Sequence, residues 1–359
     1  MATYKEIHGV NVQYRDSDAT AIEGDVWYNR STGLLKMYGV AGSWATGGNL
    51  NTGRITLAGA GKGTQTAGLV FGGYTPAPAL SALNESYDGS SWTEEADLNT
   101  AREGIQGAGT QTAGLAIAGY ISSDSALVEK WNGTSWTEVG DLNTGRRILM
   151  GTGSSNTNAL AFGGSPALAV NESWNGSSWT EVADLNTARD QVLGGAGTNT
   201  AALHFGGLNP LRALCEKWDG SSWTEVGDLN TARGYQQGGC GTNTAALCIG
   251  GNSPQIDNVE KWNGTSWTEV GDINTARRSN AAAGTNTAAI TFGGTPPTTG
   301  ATESWDGSSW TEAADLSAAR YYLGGLGTSS LALAAGGNPD DDATEEWSFT
   351  ASVETIAFD

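Results

Sequence analysis

The chain has 359 residues, with 18 lysines and arginines against 38 aspartates and glutamates and a net charge of −20. That sign excludes a surface built to displace counterions from a phosphate backbone, so neither nucleic acid nor an anionic membrane is an expected partner. The opening residues Met1 to His8 lack the apolar core of a signal peptide and no apolar run is long enough to cross a membrane, so a soluble protein made without a signal peptide is expected.

Residues 1 to about 35 stand outside any repeat. Within them Glu23 to Tyr38 hold two β-prone runs around a polar Ser31-Thr32-Gly33 turn, which predicts a hairpin. Beyond, one phrase recurs with small edits, typified by Trp218-Asp219-Gly220-Ser221-Ser222-Trp223-Thr224-Glu225. Its second tryptophan falls at Trp44, Trp92, Trp136, Trp179, Trp223, Trp267 and Trp310, a period of 43 or 44 after a first step of 48. A fixed period of this size, carrying glycines and tryptophans at set offsets, is the pattern of a blade-by-blade β-propeller.

From Arg54 on, each unit contains four strand-like runs. In the unit opened by Arg233 the first is Gly234 to Gly241, and the second is Ala245 to Ile249, closed by Gly250-Gly251. The second is apolar without alternation, as expected of a strand covered on both faces. The third and fourth, Val259 to Trp262 and Ser266 to Val270, flank Asn263-Gly264. This dipeptide signals a tight hairpin, since both residues accept the positive φ of a type I′ turn. Arginines open seven units, at Arg54, Arg102, Arg146, Arg189, Arg233, Arg277 and Arg320. The last has three strands by Trp347 and no further Trp phrase. Ser43-Trp44-Ala45-Thr46 is expected to supply the missing strand, with the tail Ser348 to Asp359 as the competing candidate. The predicted fold is all-β: a seven-bladed propeller of four-stranded blades over residues 43–359, its ring closed by the N-terminal strand, with residues 1–42 as an extension. Closure leaves no exposed sheet edge.

A strand closing in Gly-Gly, then a Glu-x-Trp strand, then a Trp strand leading to an arginine, resembles the kelch repeat over nearly all of residues 50 to 350, and in detail the kelch-type propellers of bacteriophage virion proteins. Gly24-Asp25-Val26-Trp27-Tyr28-Asn29, followed by Thr32-Gly33, Lys36-Met37-Tyr38 and Gly42-Ser43-Trp44, is similar to a hairpin motif of phage tail and fibre proteins. The resemblance implies a virion protein of the tail or a fibre, attached to other virion proteins through its extension, in which a homo-oligomer is possible.

Comparison of the repeats with one another separates scaffold from free positions. The turns between the first and second runs stay near Gly-Thr-Asn-Thr, and those between the third and fourth stay Asn/Asp-Gly-Ser/Thr-Ser. The connections between the second and third runs diverge, as do the residues just after each arginine. An up-down meander places these two divergent sets at one end, which predicts either a binding face on a rigid frame or loop drift. The candidate contacts there are Tyr74, Tyr120, Arg147, Asp190, Asn209, Arg212, Tyr235, Gln255, Arg278, Tyr321 and Tyr322. Tyrosine joins a broad apolar ring to a hydrogen-bonding tip, which suits recognition of a host-surface glycan or protein.

Other motifs carry less. Gly59 to Thr64 lacks the spacing of a phosphate loop and aligns with lysine-free turns. The Ser304 to Trp310 phrase is similar to the Asp-box of sialidase propellers, a structural hairpin. Cys215, Cys240 and Cys248 are odd in number and absent from other repeats, which predicts buried thiols. His8 and His204 are too few for a redox copper site. The repeated arginines predict a structural bond at the edge of each blade. Asp340, Asp341 and Asp342 are either a calcium site or a solvated charge run. No pair of carboxyls is placed to flank a glycosidic bond, so a non-enzymatic binding protein with neither cofactor nor metal is expected. The alternatives are a connector or decoration protein docked to another virion protein and, on fold analogy alone, a glycan-processing enzyme.

Overall fold

Each repeat folds as an antiparallel sheet because its second run is an uninterrupted apolar strand and its Asx-Gly dipeptide turns the third run back on the fourth. In the computed structural model, which describes residues 13–18, 25–60, 63–76, 79–190, 195–208, 210–234, 238–252, 255–339 and 342–356, all elements among the described residues are strands. Two compact units are present, Trp44–Trp347 and the combination of Met1–Ser43 with Ser348–Asp359.

In the larger unit six sheets have four strands in sequence order. The second is typical: Gln106–Thr110, Ala113–Tyr120, Asp124–Trp131 and Trp136–Glu138, each antiparallel to the next. The turn Asn132 to Ser135 is an Asx turn, its Oδ1 accepting the amides of Thr134 and Ser135 at 2.9 Å each. Where aspartate takes that place, as at Asp219 and Asp306, the Ser222 and Ser309 amides lead the bonds that hold the carboxyl down at about 2. The seventh set joins Gly324–Gly327, Leu331–Ala335, Thr344–Thr355 and Leu34–Thr46 in that order.

Apolar side chains gather between sheets rather than within one. Phe71 of the first sheet lies against Trp136 of the second with ring centroids 4.9 Å apart, and the same edge-on pair recurs as Phe162–Trp223 and Phe205–Trp267, at 4.8 Å each. Among the described residues there are seven such clusters, each between consecutive sheets, and the last sets Leu333 and Ala335 of the seventh sheet against Val70, Tyr87 and Trp92 of the first. First strands are neighbours in the same order, from the first sheet through the seventh and back to the first. They approach so closely that a Cβ at Gly107 would sit 2.0 Å from the Gly59 carbonyl oxygen, which is why these strands are glycine- and alanine-rich. This arrangement is compatible with a β-propeller.

The seven arginines are wholly buried, each against the glutamate of its own unit's third strand: Arg54–Glu85, Arg102–Glu129, Arg146–Glu172, Arg189–Glu216, Arg233–Glu260, Arg277–Glu303 and Arg320–Glu345. The carboxylate has a second task. Glu129 Oε2 accepts the Asn99 amide at 2.7 Å and its Nδ2 at 2.8 Å, so one carboxylate fastens the incoming connection to the sheet that follows. Burial pulls the Arg102 guanidinium below its ordinary value, and Glu129 pulls it back. The expected structural bond is therefore present, although it lies inside the sheet stack and not at an edge.

Trp44 makes the contacts of a fourth-strand tryptophan. It lies 4.8 Å from Phe292 of the sixth sheet and 5.5 Å from Trp347, matching the Trp131–Trp136 pair at 5.4 Å. Its Nε1 donates to Thr302 Oγ1 at 2.9 Å, just as Trp92 Nε1 donates to Thr344 Oγ1. After it, Asn51 gives its amide to Glu85 Oε2 at 2.7 Å, the connection seen between all later sheets.

In the smaller unit the predicted hairpin pairs Val26–Asn29 with the start of Leu34–Thr46, Trp27 facing Lys36. Asn29 Oδ1 caps the turn through the amides of Ser31 and Thr32, and Gly33 completes it at φ 70°. A parallel strand, Gln13–Arg15, had no signal in the sequence; it lies beside Val26–Asn29, with the Arg15 guanidinium 5.0 Å over the buried Trp27 ring. The tail extends the Thr344–Thr355 strand here, and Ile356 donates its amide to Leu35 at 3.0 Å.

Candidate functional site

The two ends of the sheets differ in how their turns are held. At one end, third-strand tryptophans tie down the conserved first turns: Trp218 Nε1 donates to the Asn199 carbonyl and Trp262 Nε1 to the Asn243 carbonyl, both at 3.1 Å. A turn that must present a carbonyl to a buried indole has little freedom to vary. At the other end, the residue after each arginine bridges the first residue of the divergent connection, as Ile55 with Tyr74, Glu103 with Tyr120, Arg147 with Ser165, Asp190 with Leu208, Gly234 with Asn252, Arg278 with Thr295 and Tyr321 with Asn338. The bridges bring the two divergent segments of every repeat together.

The candidate residues fare differently there. Tyr74 opens a small hairpin, Tyr74–Thr75 with Ala79–Leu80, and is half-buried. The Arg147 guanidinium stacks 4.5 Å over the Tyr120 ring and stands 3.6 Å from Asp124. Tyr321 and Tyr322 are half-buried with rings 4.9 Å apart. Gln255 spends its amide on the next connection, donating to the Pro296 carbonyl at 2.6 Å. Arg212 and Arg278 are half-buried, whereas Asp190 is only 5% exposed and has no face to offer a ligand. Asn209 and Tyr235 lie outside the described residues, as do Asp340 and Asp341.

Tyr120, Arg147 and Tyr322 share a cavity of about 730 Å³ whose wall also includes Thr56, Glu103, Gly104, Gln106, Ile148, Ser279 and Asn280. Thr56, Gly104, Ile148 and Ser279 were missed although their signal is present: like the expected Tyr322, each stands two places after a repeat arginine. All five adopt left-handed backbone, with φ of 51°, 61°, 48°, 55° and 57°. Their main chains also link around the cavity, Ile148 donating its amide to Gly104 and Tyr322 to Ser279.

Among the described residues no group of three histidine, cysteine, aspartate or glutamate side chains could hold a metal ion. The three cysteines are free and buried, and burial pushes each thiol up to about 12. His204 is 1% exposed, between Phe162 and Trp223, and neither ring nitrogen has a hydrogen-bond partner among the described residues. Burial, aided by Arg189, drives its pKa well below the ordinary value. The unfolded chain binds this proton near pH 6.5 and the folded one resists it, so stability is complete above about pH 6.5 and falls below it by up to about 1.4 kcal/mol per pH unit. Urea melts at pH 7.5 and 5.0 should show that loss, and His204→Leu should reduce it; an unchanged loss would place its origin elsewhere.

No protein-family model matches the chain, and no curated protein matches it.

Proposed function

We propose that the chain is a non-enzymatic virion protein of a bacteriophage tail or fibre, a seven-bladed propeller whose divergent end binds a host-surface receptor. The observation that carries the reading is the row of bridges by which every repeat brings its two divergent segments to one end, around a cavity, while the opposite end is tied by tryptophans. The cyclic packing of the sheets and the fourth-strand contacts of Trp44 support seven blades with the N-terminal strand closing the ring. The likeness of the Gly24 to Tyr38 segment to phage tail hairpins supports a mount on the particle. Other virion proteins would hold that mount, and no cofactor enters the reading.

Attachment tests it. Labelled protein should bind host cells, and Tyr74→Ala combined with Tyr120→Ala should weaken binding by about 1 to 2 kcal/mol per residue, the range of a genuine anchor. Alanine at Thr198, Asn199 and Thr200, on the tied end, should leave it unchanged. Loss with the second set alone would put the binding face at the other end. Retention by purified particles lacking this protein, with no binding to cells, would instead favour a connector.

A further inference from the structure

We infer that the cavity among the divergent segments is a subsite for one residue of a neutral saccharide, with Glu103 as its principal hydroxyl acceptor. This rests on the reading of that end as the binding face and adds the ligand class and the contact. At about 730 Å³ the cavity suits a small ligand and is too small to admit a folded partner.

Its rim is retained at a conformational cost. Left-handed backbone suits glycine, which the second unit uses at Gly104, yet Thr56, Ile148, Ser279 and Tyr322 hold the same φ near 50° to 60° with side chains attached. For β-branched Thr56 and Ile148 this backbone is strained, of the kind that persists where surrounding structure enforces it and that clusters at ligand sites. One backbone position thus offers the Thr56 hydroxyl, the apolar Ile148 side chain and the Tyr322 phenol at different points of one rim, with Ser279 buried beneath it. Such alternation of apolar and hydrogen-bonding surface matches a pyranose, which has C–H faces and equatorial hydroxyls.

Charge narrows the class. Arg147 is engaged by the Tyr120 ring and by Asp124. The Glu103 carboxylate receives, among side chains of the described residues, only a long 3.4 Å bond from Thr56 Oγ1, which leaves acceptor capacity for ligand hydroxyls. With a chain charge of −20 behind it, this carboxylate disfavours sialylated, uronic or phosphorylated sugars. A carboxylate accepting from a hydroxyl makes one of the stronger hydrogen bonds.

The test is a printed array of neutral and acidic oligosaccharides probed with the full chain, followed by calorimetry with the best retained neutral one. Expected are retention of neutral glycans over acidic ones, at least a tenfold loss of affinity in Glu103→Ala, and less than a twofold change in Thr198→Ala, at the opposite end of the sheets and outside the cavity wall. Retention of acidic glycans only, of none, or undiminished affinity in Glu103→Ala would overturn the inference. Circular dichroism melts of Glu103→Ala at the wild-type midpoint confirm that any loss is local. Attachment of wild-type protein to host cells separates the two readings: cells bound with full strength by Glu103→Ala remove the saccharide subsite and leave the binding face, whereas no binding of cells by the wild type removes the receptor reading itself.

Discussion

Replacing Glu260 by alanine should destabilise the protein by about 3 to 5 kcal/mol, because it strands a guanidinium with no route to water. Arg233 and Glu260 both have 0% side-chain exposure. Glu260 also accepts the Asn230 amide at 2.7 Å and the Asn230 Nδ2 at 2.9 Å, so its loss frees the connection from the fourth sheet as well. Total stabilities of domains run to about 5 to 15 kcal/mol, so one such change takes a large share. The double variant Arg233→Met with Glu260→Leu should be far less damaged than the sum of the two singles, since no buried charge remains unpaired. Urea titration of the four proteins checks this. Additive losses would mean that the pair is not coupled.

Deleting residues 1–49 should have the second large effect. The strand Thr344–Thr355, whose Trp347 is 0% exposed, would lose its covering neighbour Trp44 and present unpaired backbone. Aggregation or a fall in the melting midpoint is expected, and Trp44→Ala alone should cost about 2 to 4 kcal/mol as a large ring removed from an apolar cluster. A truncated protein as stable and monomeric as the full chain would show that the Trp44 strand is dispensable and that the sheet is closed by other means.

Much of the fold was legible because the repeat constrains itself. Asn-Gly, Gly-Gly and the apolar second run state their own local geometry, and each recurs often enough to be checked against its copies. Position Ala118 shows the limit of that legibility: it fills a Gly-Gly place with φ 60°, so the turn survives where the dipeptide does not. The strand Gln13–Arg15 was hidden because three residues paired in parallel leave neither a turn signal nor a period. At the candidate site the ends were readable from where the repeats diverge, but burial was not. Asp190 and Arg147 occupy the same column after the arginine, and only packing makes one buried and the other half-exposed over Tyr120. The left-handed rim was marked only by its place two residues after an arginine, since Thr56, Ile148 and Tyr322 differ in side-chain chemistry and are united by backbone alone.

The proposed ring of seven sheets is completed by the Trp44 strand, with the divergent segments of all seven around one end. Electron microscopy of the purified full chain tests it most directly. Averages viewed along the axis should show seven spokes about a central opening, with the spoke beside the termini as complete as the others. Six or eight spokes, or an open arc with a gap beside the seventh sheet, would contradict it.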